Sequence, residues 1–596
     1  MTKNIILIIC FCFNINTYAT SEQEAYLHRF TTYTQWNQQL PAIPTPEFLA
    51  FIDEKKPLSQ KLRDKWLYEL AKKEYWSMYL THYQPSTDTS LQCYALFAAY
   101  VQGTRETAIL GAKKQWLTGG SLPPACDKLF LMMFKEQIFD GSLVTKRIAL
   151  ALEQRNFSLA SYLLKKYKPT DPNNDQTLAL IYKNPSKITQ LVHNELHGDF
   201  YTYGLNHLLT RNMDHAAELW NKIKHSHSLN EKQEQSFLST LALYKAVRDK
   251  PDAPAWFDKV KTSFYSQGLL EWQIRYALKH HQWKRISTLI QRIHDKDSPC
   301  WQYWLARAEE QTNQKEMANQ RYEKLSKSRN YYGFLANIRL KKPFQFEAEK
   351  HTYNKEALNT YTPILRQMTT LYKNNQMGDA SRLVNDFSSE LPKEDKSNLA
   401  EWIFRELGWV GKSVYISNTP ELNNQLDLRF PLAHEGIIKQ QARTYNLKEA
   451  YIYAIIRQES AFREDVVSYV GAHGLMQLMP NTAKLVAHQH KIAYNDKKQL
   501  FISQKNINLG AAYLRQLGNR FDNHPLLMAA AYNAGPRQVY RWISTNSLKE
   551  ADIWIETLPF QETRNYLKNI MAFYAVYQYQ MKEKPDLSPF MRPYKD

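Results

Sequence analysis

The apolar residues between about positions 21 and 355 recur three and four residues apart, and this periodicity is the strongest constraint on the fold. Nearly every window there combines Leu, Ala and aromatic residues at helical spacing, with few glycines and almost no strand-like alternation. Several segments, such as 155–162, 211–220 and 313–322, repeat a polar turn followed by such a helix. We therefore predict an all-α chain that begins with an α-superhelix of degenerate helix-pair repeats, with an irregular helical bundle as the alternative.

The length of 596 residues allows several domains. After the repeats, polar runs at 375–380 and 391–397 each precede another helical pattern, and a loop follows at 417–425. Glycines cluster only beyond this loop. We predict an α-superhelical domain at 20–355, a small helical linker domain at 356–425 and a C-terminal domain at 426–596 that carries the chemistry.

Residues 1–19 have the composition of a secretory signal peptide. Lys3 precedes an apolar run from Ile5 to Phe13, and small residues lie before a cleavage point that we place after Ala19. The run is shorter than the roughly 20 residues that span a bilayer. We predict export with removal of this segment; a buried N-terminal helix is the alternative. No later segment resembles a membrane span.

The cysteines fit an exported protein with one disulfide. Removal of the leader takes away Cys10 and Cys12 and leaves Cys93, Cys126 and Cys300. In an oxidising compartment Cys93 and Cys126 are the favoured pair, because both lie in the same N-terminal region, whereas Cys300 lies in an aromatic stretch and reads as a buried free thiol. The alternative is that all three are unpaired.

The chain has a net charge of +19, which favours polyanionic partners through long-range attraction. An exported protein meets cell-wall polymer or lipid headgroups before it meets nucleic acid, and wall glycan strands that carry peptide carboxylates are anionic. We therefore predict glycan strands and no nucleic acid as partners. Solubility alone is the alternative explanation of the charge.

A single carboxylate, Glu459, lies on the apolar side of a predicted helix. Ile455 and Ile456 precede it by four and three residues, and Tyr451 and Phe462 extend the same stripe. A carboxyl group that leaves water for an apolar pocket holds its proton above the usual pKa of about 4.3. The pattern predicts a general acid that works near neutral pH.

The segment that follows has the features of a ligand-binding loop. Gly471 and Gly474 permit close backbone approach, Met476 contributes to an apolar floor, and Gln477 supplies an amide for sugar hydroxyl or acetamido groups. Pro480 begins a new helix.

Four motifs occur in an order that resembles the soluble lytic murein transglycosylases. They are Arg457-Gln-Glu-Ser460, Gly474-Leu-Met-Gln-Leu-Met-Pro480, Ala531-Tyr-Asn-Ala-Gly535 and Glu562-Thr-Arg564. The motifs cover about the last 165 residues; elsewhere the resemblance rests on helicity, length and the placement of Cys93 and Cys126. It implies the large periplasmic type of enzyme, with a lysozyme-like catalytic domain at 426–596.

The resemblance implies cleavage of the β-1,4 bond between N-acetylmuramic acid and N-acetylglucosamine, with a 1,6-anhydromuramoyl product. One glutamate, Glu459, would act first as acid and then as base, with Tyr532 beside it. The expected substrate-binding residues are Ser468, Gly474, Met476, Gln477, Asn533 and Glu562.

Several alternatives stay open at this stage. Ser468 and Gln477 could cap a turn, Tyr532 could be a core residue, and Glu562 could be the nucleophile of a lysozyme-type hydrolase. A non-catalytic wall-binding scaffold is a further possibility. His473 departs from the related pattern, which commonly has a small residue there. We expect it to be an exposed turn histidine; the alternative is that it alters the width of the cleft or donates to the glycan.

The remaining expectations concern cofactors and partners. The sequence contains no metal-binding, phosphate-loop or serine-hydrolase signature, so we predict no cofactor and no metal. We expect a periplasmic monomer that is at most peripheral to the membrane, with cell-wall synthesis proteins as possible partners.

Overall fold

The structure is a computed structural model that describes residues 5–169, 171–191, 195–224 and 229–594, with side chains described from residue 22 onward. It contains two compact units. One is Thr31–Gln273, and the other is Ile274–Asp596 together with the segment up to Phe30. The predicted domain limits at 355 and 425 both fall inside the second unit and stay predictions.

The described residues form α-helices joined by turns, loops and six short 3₁₀ segments, which confirms the all-α prediction. The helices that begin before residue 280 are α1 (Ile5–Gln38), α2 (Pro46–Asp53), α3 (Pro57–Lys72), α4 (Trp76–His82), α5 (Thr89–Val101), α6 (Arg105–Trp116), α7 (Asp127–Lys135), α8 (Gly141–Glu153), α9 (Phe157–Tyr167), α10 (Asn174–Lys183), α11 (His197–Arg211), α12 (Met213–Ile223), α13 (Glu231–Val247), α14 (Ala253–Phe257) and α15 (Gln267–Lys279).

The helices that follow include those of the motif-bearing segment. They are α16 (Trp283–Ile290), α17 (Pro299–Gln311), α18 (Lys315–Ser326), α19 (Tyr331–Leu340), α20 (Thr362–Lys373), α21 (Met377–Glu390), α22 (Lys393–Leu407), α23 (Val410–Ser417), α24 (Leu426–Arg429), α25 (Glu435–Tyr445), α26 (Glu449–Glu459), α27 (Pro480–Gln489), α28 (Ser503–Arg520), α29 (Pro525–Ala534), α30 (Pro536–Thr545), α31 (Ala551–Thr557), α32 (Gln561–Gln580) and α33 (Ser588–Met591).

Local sequence signals explain many of the helix starts. Asp88 accepts hydrogen bonds from two backbone N–H groups at the start of α5, and Asp140 accepts one at the start of α8. Asn230 and Gln233 form a reciprocal capping box at the start of α13. These side chains replace backbone partners that the first turn of a helix lacks.

The predicted disulfide is present. Cys93 on α5 is bonded to Cys126, which directly precedes α7, and both residues are fully buried. Cys300 is a free thiol and is partly buried; burial raises its pKa to about 12, so that it stays protonated at neutral pH.

The leader predicted at residues 1–19 is mostly part of α1, but its side chains and its first four residues lie outside what the structure describes. Among the described residues, no helix combines the length and the apolar composition that crossing a bilayer requires.

Buried charges join α17 and α19 to α31 within the second unit. Arg307 of α17 forms ion pairs with Asp552 and, at 2.7 Å, with Glu550, while Arg339 of α19 lies 3.5 Å from Asp552. The side chains of Arg307 and Asp552 are both only 1% exposed. Tyr303 donates a further hydrogen bond to Asp552 at 2.6 Å.

A second buried carboxylate joins α31 to α32. Glu556 lies 2.8 Å from Lys568 and 3.3 Å from Arg275, and it accepts a hydrogen bond from Tyr332 at 3.0 Å. Burial alone would raise its pKa, but the two cations lower the pKa well below its usual range. This cluster of buried charges therefore contributes to the position of α32.

Replacing Arg307 with Met should lower the free energy of unfolding of the second unit by about 3–5 kcal/mol, because it leaves the buried Asp552 short of a counter-charge. The control is Lys342→Met. Lys342 pairs with Glu323 with both side chains 47% exposed, and loss of such a pair should cost at most about 1 kcal/mol. Urea unfolding followed by far-UV circular dichroism measures both changes, and equal effects would contradict a special role for the buried cluster.

Candidate active site

Helix α26 is buried along most of its length, and Glu459 is its last residue. The consecutive residues from Ala450 to Arg457 are all buried, so the helix runs through the core of its domain. Ala461 and Phe462 then adopt left-handed backbone angles that turn the chain away. This local sequence brings the carboxyl group of Glu459 to the edge of the core with part of its surface accessible.

The environment of Glu459 favours its protonated form. The pKa of Glu459 is raised to about 7, mainly by burial of the carboxyl group; a hydrogen bond from Tyr566 lowers the pKa and the nearby negative charge of Glu562 raises it. The hydroxyl of Tyr566 lies 2.7 Å from Oε1 of Glu459. The carboxyl group can therefore both give and take a proton near neutral pH.

Tyr566 was not among the residues predicted from the sequence. It lies on α32, four residues after Glu562, so both side chains lie on the same face of that helix. The spacing from the Glu562-Thr-Arg564 motif is the signal that could have identified it.

Burial is the main cause that raises the pKa of Tyr532 of α29, and the nearby Glu459 carboxylate raises it further. Tyr532 therefore lies close to Glu459. Its hydroxyl, however, donates to the carbonyl oxygen of Met476 at 2.7 Å. The structure thus places Tyr532 beside the glutamate and bonded to the glycine-rich loop. Its catalytic role stays a prediction.

The loop from Val466 to Met479 is held by short backbone pairings and by one buried amide. Isolated antiparallel bridges pair His473 with Val467 and with Leu478. Asn506 of α28, which is fully buried, accepts from the N–H of Met476 at 2.8 Å and donates to the carbonyl of His473 at 3.0 Å and to that of Leu500 at 2.8 Å.

Two predicted sugar-binding residues have local partners in this loop. Ser468 accepts a hydrogen bond from the N–H of Ala472 at 2.9 Å, and Gln477 donates to the carbonyls of Gly474 at 2.8 Å and Val466 at 3.2 Å. Both side chains therefore stabilise the turn, which was the alternative that the sequence left open. Their contact with a sugar stays a prediction.

The expectation of an exposed histidine at 473 is wrong. His473 is only 7% exposed, its ring lies 5.3 Å from that of Phe501, and its Nδ1 lies 2.7 Å from the carbonyl of Gly471. The backbone pairings of the loop turn this side chain inward, which a sequence pattern with a small residue at that position does not reveal.

The remaining predicted site residues lie on both sides of the glutamate. Met476 is buried and packs against Gly510 of α28. Asn533 accepts a hydrogen bond from Thr563 at 2.7 Å, which joins the end of α29 to the start of α32, and Glu562 is exposed at that start. The motifs that are separate in the sequence are thus assembled around Glu459.

Comparison with known proteins gives two family matches. The profile of the transglycosylase SLT domain matches residues 436–555, and that of the soluble lytic transglycosylase helical domain matches residues 557–585. The chain is 30% identical to the soluble lytic murein transglycosylase of Escherichia coli (strain K12) over 580 residues, covering 94% of this chain and 89% of that protein.

Two solved structures are similar over nearly the whole chain. One is an inactive mutant of the lytic transglycosylase from Pseudomonas aeruginosa, with a TM-score of 0.84 and 28% identity over 97% of this chain and 96% of that chain. The other is the 70-kDa soluble lytic transglycosylase from Escherichia coli, with a TM-score of 0.78 and 28% identity over 95% of this chain and 94% of that chain. A complex of the 70-kDa soluble lytic transglycosylase with bulgecin A is also similar, with a TM-score of 0.78.

Replacing Gly474 with Ala should destabilise the loop more than replacing Gly471 with Ala. Both glycines have positive φ, at +71° and +88°, and this conformation alone costs a side chain about 1–2 kcal/mol. A Cβ at position 474 would also come within 3.0 Å of the Leu500 carbonyl and the Asn506 amide, whereas position 471 faces open space. Thermal unfolding of both variants checks this order, and an equal loss at the two positions would contradict it.

Proposed function

The chain belongs to the soluble lytic murein transglycosylases and is a peptidoglycan lytic transglycosylase, and from this premise we propose the bond that it cleaves and the product that it forms. The bond is the β-1,4 linkage between N-acetylmuramic acid and N-acetylglucosamine, and the product carries a 1,6-anhydromuramoyl end. The observation that carries this proposal is a single buried carboxyl group, Glu459, with a pKa of about 7.

The first step needs Glu459 in its protonated form. It gives its proton to the glycosidic oxygen as the bond to C1 of the muramic acid breaks, so the N-acetylglucosamine leaves as an alcohol. A group whose pKa lies near the operating pH supplies this proton with little penalty. Burial provides that pKa here.

The second step uses the same group as a base. The Glu459 carboxylate takes the proton of the C6 hydroxyl while O6 attacks C1, which closes the anhydro ring and restores the protonated glutamate. The hydrogen bond from Tyr566 supports this exchange because the hydroxyl can donate to the carboxylate. Because O6 of the same sugar is the nucleophile, the mechanism consumes no water and requires no second carboxylate.

A lysozyme-type hydrolase is the second candidate, because Glu562 is a second carboxylate whose charge reaches Glu459. In a retaining hydrolase such a group would be the nucleophile. Glu562 is exposed at the start of α32, and this supports a role in holding substrate over a role in covalent chemistry.

We also propose a periplasmic location. The predicted leader at residues 1–19 and the Cys93–Cys126 disulfide both support export to an oxidising compartment. The state of assembly and any cell-wall synthesis partners stay predictions.

Replacing Glu459 with Gln should lower turnover of purified glycan strands by at least about 10²–10⁴-fold while strand binding is retained, because the amide keeps the shape but cannot cycle a proton. Glu449→Gln at the other end of α26 is the matched control and should retain activity. Mass spectrometry of the products of the unaltered protein separates the two candidates, since an anhydro end is lighter than a hydrolysed end by one water. Reducing ends as the main product, or turnover by the Gln variant, would contradict the proposal.

The value of kcat/KM should fall as the pH rises above about 7, because the acid form of Glu459 is lost. Tyr566→Phe removes a hydrogen bond that lowers this pKa, so the fall should move to higher pH. Tyr574→Phe, on the same helix, is the control and should leave the profile in place. A shift in the opposite direction would show that Tyr566 does not stabilise the charged carboxylate.

A further inference from the structure

Arg147 of α8 is a buried cation that forms no direct ion pair with any described residue. It is 5% exposed, and its guanidinium carbon lies 4.2 Å from the ring centroid of Trp116 and 5.8 Å from that of Phe130. Within the described part of the chain, no carboxylate lies within 4.0 Å of it and its Nε is buried without a hydrogen-bond partner. Arg307, the other strongly buried arginine described above, has three carboxylate partners.

A buried charge without a direct ion pair is unfavourable for folding, and here the charged group lines a cavity. Burial lowers the pKa of Arg147, the direction expected when desolvation of the charge exceeds the attraction of nearby groups. The cavity has a volume of about 300 Å³ and lies among residues of α6, α7, α8 and α9. Among its lining residues are Trp116, Arg147 and Tyr167. An arginine in this position is available to a ligand.

Other side chains of the cavity match an anion with a small apolar part. Lys166 lines it and donates to the hydroxyl of Tyr162 at 2.7 Å, which holds a second cation nearby. Leu131 and Tyr162 line it with 56% and 50% of their surface exposed, and Ser121 and Ser158 supply hydroxyl groups. The cavity therefore offers charge, hydrogen bonds and apolar surface together.

The charge balance favours a monoanion. Asp127 also lines the cavity, so the two cations Arg147 and Lys166 are balanced in part by one carboxylate and the net charge is that of one cation. The Asp127 carboxylate would repel a dianionic phosphate more strongly than a monoanion. The planar guanidinium presents parallel N–H groups that match a carboxylate. We propose that this cavity binds the terminal carboxylate of the peptides on glycan strands, which rests on the proposed action on peptidoglycan.

Asp127 lies near Arg147 but does not pair with it directly. Its negative charge favours the guanidinium cation, yet burial outweighs this attraction and lowers the pKa of Arg147. Asp127 is the first residue of α7 and follows Cys126, which is joined to Cys93 of α5. A ligand carboxylate would therefore supply the direct partner that Arg147 lacks.

Calorimetric titration of the full chain with N-acetyl-D-alanyl-D-alanine, its C-terminal amide and inorganic phosphate tests the proposal. The free acid should bind, and the amide should bind at least about tenfold more weakly, since it has no carboxylate to accept charge-assisted hydrogen bonds from the guanidinium. R147Q should bind the free acid at least about tenfold more weakly than the unaltered protein, and the affinity of R147K should lie between those of the unaltered protein and R147Q. D127N should bind more tightly because it removes a like charge.

Equal binding of acid and amide, unchanged binding by R147Q, or phosphate binding that is tighter than and competitive with the peptide would overturn the proposal. Far-UV circular dichroism of each variant checks folding, and the gain expected for D127N cannot arise from misfolding. The titration is repeated in E459Q, so that binding is measured without turnover. Anhydro products without peptide binding would reject this inference alone, whereas reducing-end products would reject the proposed function and leave the titration result intact.

Discussion

The hydrogen bond between Tyr566 and Glu459 connects the two helices on which the active site depends. Glu459 ends a helix that the core encloses, and Tyr566 lies one turn into the long helix α32. The carboxyl group is protonated near neutral pH because burial disfavours its charge, yet the tyrosine keeps the charged form accessible. A single residue can serve as acid and then as base only when both forms are reachable, and this contact provides that balance.

The position of α32 in turn depends on buried ion pairs, some of which involve residues distant in sequence. Lys568, two residues after Tyr566, pairs with Glu556 of α31, and Glu556 also pairs with Arg275. Arg307 and Asp552 attach α31 to the helices that precede the catalytic segment. The helices α15, α17 and α19 therefore support α31 and, through Glu556 and Lys568, the helix α32 that carries Tyr566.

Local patterns predicted the helices, the disulfide and the burial of Glu459, because each depends on residues close in sequence or on a small set of pairing choices. Such patterns could not predict the contacts of Tyr532, Gln477 and His473. Each of these side chains is directed by backbone groups of a loop whose path is fixed by Asn506, a residue that carries no motif.

Arg457 shows the same limit, since the charge of an arginine alone would suggest an ion pair. Its guanidinium instead stacks against Phe430 and Phe573, with its carbon 5.1 and 5.4 Å from the ring centroids, and its Nε donates to the carbonyl of Arg429 at 2.8 Å. The partners come from α24, α32 and the turn between α24 and α25, so only the tertiary fold brings them together.

The hydrogen bonds of the buried amide of Asn506 also make the loop beside Glu459 sensitive to deamidation of that residue. The side-chain nitrogen donates to two carbonyl oxygens and the side-chain oxygen accepts from one N–H group, so each atom has a fixed role as donor or acceptor. Spontaneous deamidation to aspartate would preserve the shape but turn a donor into a negatively charged acceptor facing two carbonyls. The loop beside Glu459 would then be pushed apart by a change of a single atom, so the loop requires an asparagine at position 506.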